Sequence, residues 1–192
     1  MPKKKKKRGK GKAKGSAFER EVIRDIVQAF SSFGVTLQDV NRSRISGGHP
    51  DAFGDITFSS AVAKLFNFAV ECKSYKKVNL YDFLMPWNEI NSKSKDRIGG
   101  WWKQAVQGAL KCNRAPLLVF KANSQAVMCA VPCHVLNATN VKNHLHRKPR
   151  ILAYLPMTDD NKLIKICVIR WDWFLKAYVK VQKGIYGYRG KR

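Results

Sequence analysis

Acidic side chains are scarce in this chain: 13 aspartates and glutamates stand against 37 lysines and arginines, a net charge of +24 over 192 residues. That imbalance calls for a polyanionic partner, with nucleic acid ahead of an anionic membrane surface. Long apolar runs are missing, and none approaches the ~18 residues of a membrane span. A membrane-spanning helix is therefore excluded. No long amphipathic basic helix stands in for one, which argues against a membrane-surface role. The lysine-rich N-terminus is not followed by an apolar stretch, so it does not read as a secretory signal. Cysteines are few, odd in number and scattered (Cys72, Cys112, Cys129, Cys133, Cys167). This excludes a disulfide scaffold and suits reduced thiols in a cytosol-like compartment. Cys129, Cys133 and His134 have no second pair at zinc-ligand spacing and read as core cysteines beside a histidine. The expected location is cytoplasmic, at a nucleoid or viral replication site, or nuclear in a eukaryotic host.

What is present is an ordinary globular share of hydrophobic residues, 45%, enough for one full-sized domain and too much for a wholly disordered chain. Residues 1–14 hold nine lysines and arginines and no acid; such a block repels itself and reads as a disordered basic arm. It could equally be a nuclear localisation patch. Residues 15–179 read as a single domain, with a core over about 15–131 and a C-terminal elaboration over 132–179. Residues 180–192 form a basic tail.

Within the domain, the spacing predicts a helix over residues 16–30, with Ser16 and Glu19 as a capping box. Phe18, Val22, Ile23, Ile26, Val27 and Phe30 share one half of that helix, and Glu19 lies near the centre of the same apolar half. Residues 56–58 and 66–72 read as two strands around a turn near Ala63 and Lys64. Residues 82–100 look irregular. A second amphipathic helix spans 101–112. Two hairpins follow, 117–121 with 126–131 and 151–155 with 163–169. The order predicts an α/β fold: a mixed sheet flanked by helices.

With so few acids, their positions carry information. A turn centred near residue 63 would place Asp55 opposite Glu71. Glu71 and Lys73, two apart on one strand, point to one face. Two adjacent carboxylates repel unless a cation neutralises them. Hard oxygen ligands of this kind suit Mg²⁺, which keeps several waters and accepts phosphate oxygens. A lysine beside the metal can orient or help deprotonate water, which is the equipment of metal-assisted phosphodiester hydrolysis. The competing reading of Glu71 and Lys73 is a salt pair on a solvated sheet face. The stretch from Ser46 to Gly54 reads as a loop, either a plain connection or one whose amides and Ser46 approach a phosphate, with Arg42 and Arg44 beside it. His49 reads as a loop residue or DNA contact. Asp51 rivals Asp55 as metal ligand, but Asp55 adjoins the strand and pairs in register with Glu71. Glu19 is either the capping acceptor or a third carboxylate near the metal, since an acid on a buried helix face is costly unless paired.

The helix acid, the strand aspartate and the Glu-x-Lys together resemble the PD-(D/E)xK nuclease superfamily. Within it, the chain is similar to Holliday junction resolvases of the archaeal and viral type. That family's Lys-Gly-(Ser/Ala)-x-x-Glu-Arg-Glu element is matched by Lys14-Gly15-Ser16-Ala17-Phe18-Glu19-Arg20-Glu21. Its Arg-x-x-x-Ser element is matched by Arg42-Ser43-Arg44-Ile45-Ser46. The strand aspartate and Glu-x-Lys follow at Asp55, Glu71 and Lys73. A helix then leads into a Pro-hydrophobic strand from Ala115 to Lys121. The resemblance covers residues 14–131 and implies a restriction-endonuclease-like fold. It implies Glu19, Asp55 and Glu71 as metal ligands and Lys73 as the residue that assists the water. Arg20, Arg42 and Ser46 would contact DNA or support the site, with Arg44, His49, Lys12 and Lys14 as further DNA contacts. The expected protein is a Mg²⁺-dependent endonuclease, with Mn²⁺ able to substitute, acting as a homodimer on branched DNA such as four-way junctions. A two-fold dimer would place two sites on paired strands. The alternatives are the same nuclease acting on duplex, nicked or single-stranded DNA, and a non-enzymatic basic nucleic-acid-binding protein.

Overall fold

A computed structural model describes residues 10–43, 53–78, 98–145, 147–156 and 163–186. Helix α1 (Lys10–Phe30) is followed by strands β1 (Val40–Arg42) and β2 (Ile56–Phe58), the short helix α2 (Ser60–Leu65) and strand β3 (Phe68–Tyr75). Helix α3 (Ile98–Cys112) leads to β4 (Ala115–Ala122) and β5 (Met128–Pro132). Then come α4 (Cys133–Ala138), α5 (Val141–Leu145), β6 (Ile151–Pro156), β7 (Leu163–Arg170) and α6 (Trp171–Ile185).

The main sheet has five strands in the order β3-β4-β5-β7-β6. β3 and β4 are parallel, in register from Phe68↔Ala115 to Tyr75↔Ala122, and the crossover that a parallel pair requires passes through α3. The other pairings are antiparallel. β4 is central, and Leu117, Leu118, Val119 and Phe120 are all buried. A strand covered on both faces reads as a continuous apolar run. One face of the sheet carries α1, α6 and the α4–α5 pair over a core that includes Phe18, Val22, Ile26 and Phe174. The other carries α3, whose Trp101, Trp102, Ala105 and Val106 meet Leu118, Phe120, Ala130 and Val168. This is the expected α/β architecture, a mixed sheet flanked by helices, consistent with a restriction-endonuclease-like fold.

Three local expectations change. α1 begins at Lys10, six positions before Ser16, so residues 10–14 of the expected arm are helical and Ser16 is a helix-interior residue. There is no capping box at Ser16. Lys and Ala favour helix, which offsets the ~1 kcal/mol cost of each glycine, and Lys14 Nζ donates to Asn123 Oδ1 at 2.6 Å, tying the extension to the β4–β5 turn. The link between β2 and β3 is helix α2 instead of a turn, capped by Ser59, whose side chain accepts from the Val62 amide. β2 accordingly pairs with β1 (Val40↔Phe58 to Arg42↔Ile56) and forms no hairpin with β3. At the other end of the chain, α6 continues to Ile185, so part of the expected basic tail is helical. The two later hairpins form as expected.

All five cysteines are unpaired thiols. Burial pushes the Cys129 thiol well up and the Cys167 thiol to about 12, as core residues would show. No helix among the described residues is long and apolar enough to cross a membrane.

The end of the molecule away from the β3 carboxylate is held by an aromatic cluster. Phe66 stands at its centre, with ring centroids 5.6 Å from Phe30, 4.9 Å from Phe68 and 5.4 Å from Tyr178. The cluster joins α1, β3 and α6, and Phe66 is wholly buried. Phe66→Ala is expected to lower the free energy of urea unfolding by about 3–5 kcal/mol. A loss below ~1 kcal/mol would show that these elements are joined by something else.

Candidate active site

The site forms at the β3 edge of the sheet. Glu71 and Lys73 alternate with Cys72, so both point toward α3 while the Cys72 side chain enters the core under α1. Asp55 reaches them from the start of β2. Its backbone N–H donates to the Val70 carbonyl at 2.8 Å, and its Oδ2 accepts from the Cys72 N–H, also at 2.8 Å. Asp55 and Glu71 are therefore neighbours, as expected, but through this backbone bridge and not through hairpin register.

Gly54 makes the approach possible. Its φ is +100°, and a Cβ there would stand 2.6 Å from the Val70 carbonyl oxygen. On α3, Gly108 lies under the same segment, where a Cβ would be 3.3 Å from the Gly54 nitrogen. Neither glycine is assigned a role in the sequence reading; the Gly-Asp pair before a strand was the one local signal for Gly54.

Glu71 is buried, with 9% of its surface exposed. Lys73 Nζ donates to Glu71 Oε1 at 2.6 Å. The pair is not the solvated surface salt bridge of the competing reading. Burial, then the charge of Glu71, pushes the Asp55 carboxyl up to about 7, against the opposing pull of the Cys72 N–H and Lys73. Burial lowers the Lys73 ammonium, but the charge and hydrogen bond of Glu71, with Asp55 behind them, outweigh it and leave its pKa above the ordinary value. Burial raises the Cys72 thiol too, followed by the charges of Asp55, Glu71 and Glu19.

Glu19 on α1 is close enough for its charge to raise Asp55, as the smallest of the named influences. Its carboxylate is held by Arg42, whose Nε donates to Glu19 Oε2. Among the described residues, no three His, Cys, Asp or Glu side chains form a group that could hold a metal ion. The structure thus brings together Asp55, Glu71 and Lys73, and leaves Glu19 as an adjacent carboxylate with Arg42 as its counter-ion. One buried and one half-buried hard-oxygen donor, with one pKa forced upward, fit a divalent cation, which takes one or two protein carboxylates and completes its shell with water and phosphate.

The remaining expected contacts are dispersed. Arg20 is exposed on α1. Arg42 serves Glu19, and Lys14 reaches Asn123. Arg44, Ser46, His49 and Asp51, and the Lys12 side chain, lie outside the described residues. Two links absent from the sequence reading fix α1 over the sheet: Lys121 pairs with Glu21, and Trp171 Nε1 donates to Asp25 Oδ2 at 3.0 Å. Both join residues a hundred or more positions apart, beyond the reach of any local pattern.

A family model described as "Phage putative PDDEXK endonuclease" matches residues 10–182. Comparisons with curated proteins and with solved structures returned no match.

Two outcomes follow from the geometry. Gly54→Ala forces a Cβ into the β3 backbone at a positive φ and is expected to cost at least ~2 kcal/mol of stability, measured by denaturant unfolding; wild-type stability would refute the close approach. Asp55 titrates at about 7 in the fold against 3.8 for an ordinary aspartate. Without divalent cation the folded state therefore holds an extra proton between those values, and stability falls as pH rises through that window. In EDTA the stability of Asp55→Asn relative to wild type should grow across the window and level off above it. A flat difference would refute the raised pKa.

Proposed function

The chain belongs to the phage PDDEXK endonuclease family, and on that premise we propose that it is a Mg²⁺-dependent, structure-selective DNA endonuclease. Its substrate is branched DNA, in first place the four-way junction, cut by paired phosphodiester hydrolysis in a homodimer. The observation that carries the nuclease reading is the Asp55–Glu71 pair, with Glu71 buried and Asp55 half-buried, and Lys73 on the same strand face as Glu71. PD-(D/E)xK nucleases typically use divalent metal ions. The junction preference is supported by the element from Lys14 to Glu21, which resembles that of resolvases and supplies Glu19 to the site.

Asp55 and Glu71 would hold the cation, and Mn²⁺ would substitute for Mg²⁺. When bound, a divalent cation supplies Lewis acidity toward phosphate oxygens and water. The chain's own residues do the rest. The Cys72 N–H fixes the Asp55 carboxylate by holding Oδ2. Glu71 keeps the Lys73 amine protonated at neutral pH. Lys73 therefore orients the attacking water and donates to charge developing on the phosphate, in preference to acting as the base. Arg42 neutralises Glu19 beside the site. The excess of cations binds the DNA backbone, with steep salt dependence and little sequence information.

A labelled immobile four-way junction and its linear duplex control test the reading in Mg²⁺ and in EDTA. Paired symmetric cuts are expected in the junction, with little cutting of the duplex and none in EDTA. Asp55→Asn and Lys73→Ala should each lower the cleavage rate by about 100-fold or more while DNA binding persists. Equal cutting of both substrates would overturn the junction preference and leave the nuclease standing. Binding without any cleavage would overturn the nuclease.

A further inference from the structure

The described C-terminal residues carry far more positive than negative charge. Among the described residues from Ile98 onward, the only acid is Asp172, and Arg170 already pairs with it at 2.9 Å. Three cations of this region gather on one concave surface. Lys142, Arg150 and Lys165 line a cavity of about 240 Å³ between the α4–α5 pair and the β6–β7 hairpin. Asn137 adds an amide, and the Cys133 and Cys167 side chains contribute to the apolar part of the lining. No carboxylate lines the cavity.

The arrangement is a product of the fold. β7 places Cys167 between Val131 of β5 and Leu152 of β6. α4 starts at Cys133, directly after β5, and so folds back over that part of the sheet. Lys165, Arg150 and Lys142 all act electrostatically on the Cys133 thiol, against the burial that raises it. Their convergence is therefore felt at one atom. The three side chains are exposed, and no ion pair to a described carboxylate holds any of them. Like charges around a concavity repel one another and focus their field on whatever enters, so the arrangement is relieved by an external anion.

The surface continues beyond the cavity. Two residues before Arg150, Lys148 lies over the Trp173 ring at 5.1 Å. A string of cations suits a string of phosphates better than one small anion. β3 and β6 are the two edges of the five-stranded sheet. The cavity opens on the sheet face that carries α1 and α6, whereas Glu71 and Lys73 point to the opposite face, toward α3.

We propose that the Lys142–Arg150–Lys165 cavity is a second phosphate-binding site, which takes DNA backbone on the sheet face opposite the one toward which Glu71 and Lys73 point. The inference rests on the reading of the chain as a DNA nuclease, and its site is spatially separate from the catalytic one.

The test is fluorescence anisotropy of full-length protein with a duplex in EDTA, repeated over a series of KCl concentrations. The triple variant Lys142→Gln, Arg150→Gln, Lys165→Gln is expected to weaken binding about tenfold. It should lower the slope of log Kd against log salt by about one to two units, each neutralised phosphate contributing about 0.9. A control triple, Lys64→Gln, Lys111→Gln, Arg114→Gln, removes the same charge from α2, the end of α3 and the α3–β4 link, and should change Kd by no more than about two- to threefold. Equal losses in both triples, or none in the first, overturn the site. A second readout needs no substitution. Cys133 is half-buried at the cavity, so bound duplex should slow its alkylation by N-ethylmaleimide about tenfold while leaving Cys112 on α3 unchanged. An unchanged Cys133 rate also overturns the site. The failures are distinguishable: cleavage that survives Asp55→Asn sinks the catalytic reading alone, a null result in the cavity triple sinks this inference alone, and wild-type protein that binds no DNA sinks both.

Discussion

Two carboxylates held side by side at an apolar sheet edge are the constraint around which this molecule is arranged. In water they would separate. Here Asp55 is clamped to β3 through the Val70 carbonyl and the Cys72 amide, and Glu71 is fixed by its place on the strand. The repulsion and the burial appear as an Asp55 carboxyl near 7. Lys73 offsets one charge of the pair and no more. What remains is a local deficit of positive charge in a molecule that otherwise has a large excess of it, the kind of site a divalent cation would satisfy. The approach also explains Gly54, where a side chain would collide with the Val70 carbonyl, while one at Gly108 would crowd the Gly54 amide.

The scarcity of acids and the abundance of cations are two sides of one organisation. Every described acid is engaged within the molecule. Glu19 pairs with Arg42, Glu21 with Lys121, Glu71 with Lys73 and Asp172 with Arg170. Asp25 accepts from Trp171, Asp39 from Thr36 and Asp55 from Cys72. These acids serve the fold and the site. Much of the surplus of lysine and arginine is left facing outward, where it can bind a polyanion without competing for internal partners. The same division leaves the described C-terminal elements, which extend the sheet away from the β3 edge, with an excess of positive charge. Since the family match runs to residue 182, those elements belong to the family's domain.

Much of the fold was legible in local patterns. The apolar stripe from Phe18 to Phe30, the amphipathic run that became α3 and the two later hairpins each follow from periodicities that a short stretch of chain imposes on itself. The candidate trio Asp55, Glu71 and Lys73 also stood out, because acids are rare enough here for Gly-Asp and Glu-x-Lys to be noticed. The errors arose where local signals competed with distant contacts. Ser16 and Glu19 have capping-box spacing, yet the helix continues upstream because Lys14 finds Asn123 across the fold. Residues 60–65 look like a turn, yet Ser59 caps a short helix there, and β2 turns to β1 for its hydrogen bonds.

The sequence by itself determined the element types, the excess of positive charge and the identity of the chemical groups, because these depend on composition and on neighbours within a few residues. Only the tertiary structure decided which groups meet. Glu19 is held by Arg42, Asp55 is bridged to β3 through backbone amides, and Lys142, Arg150 and Lys165 share one cavity. Such meetings are set by strand order, crossover and the depth of a helix on a sheet. These are long-range packing outcomes that no spacing along the chain encodes.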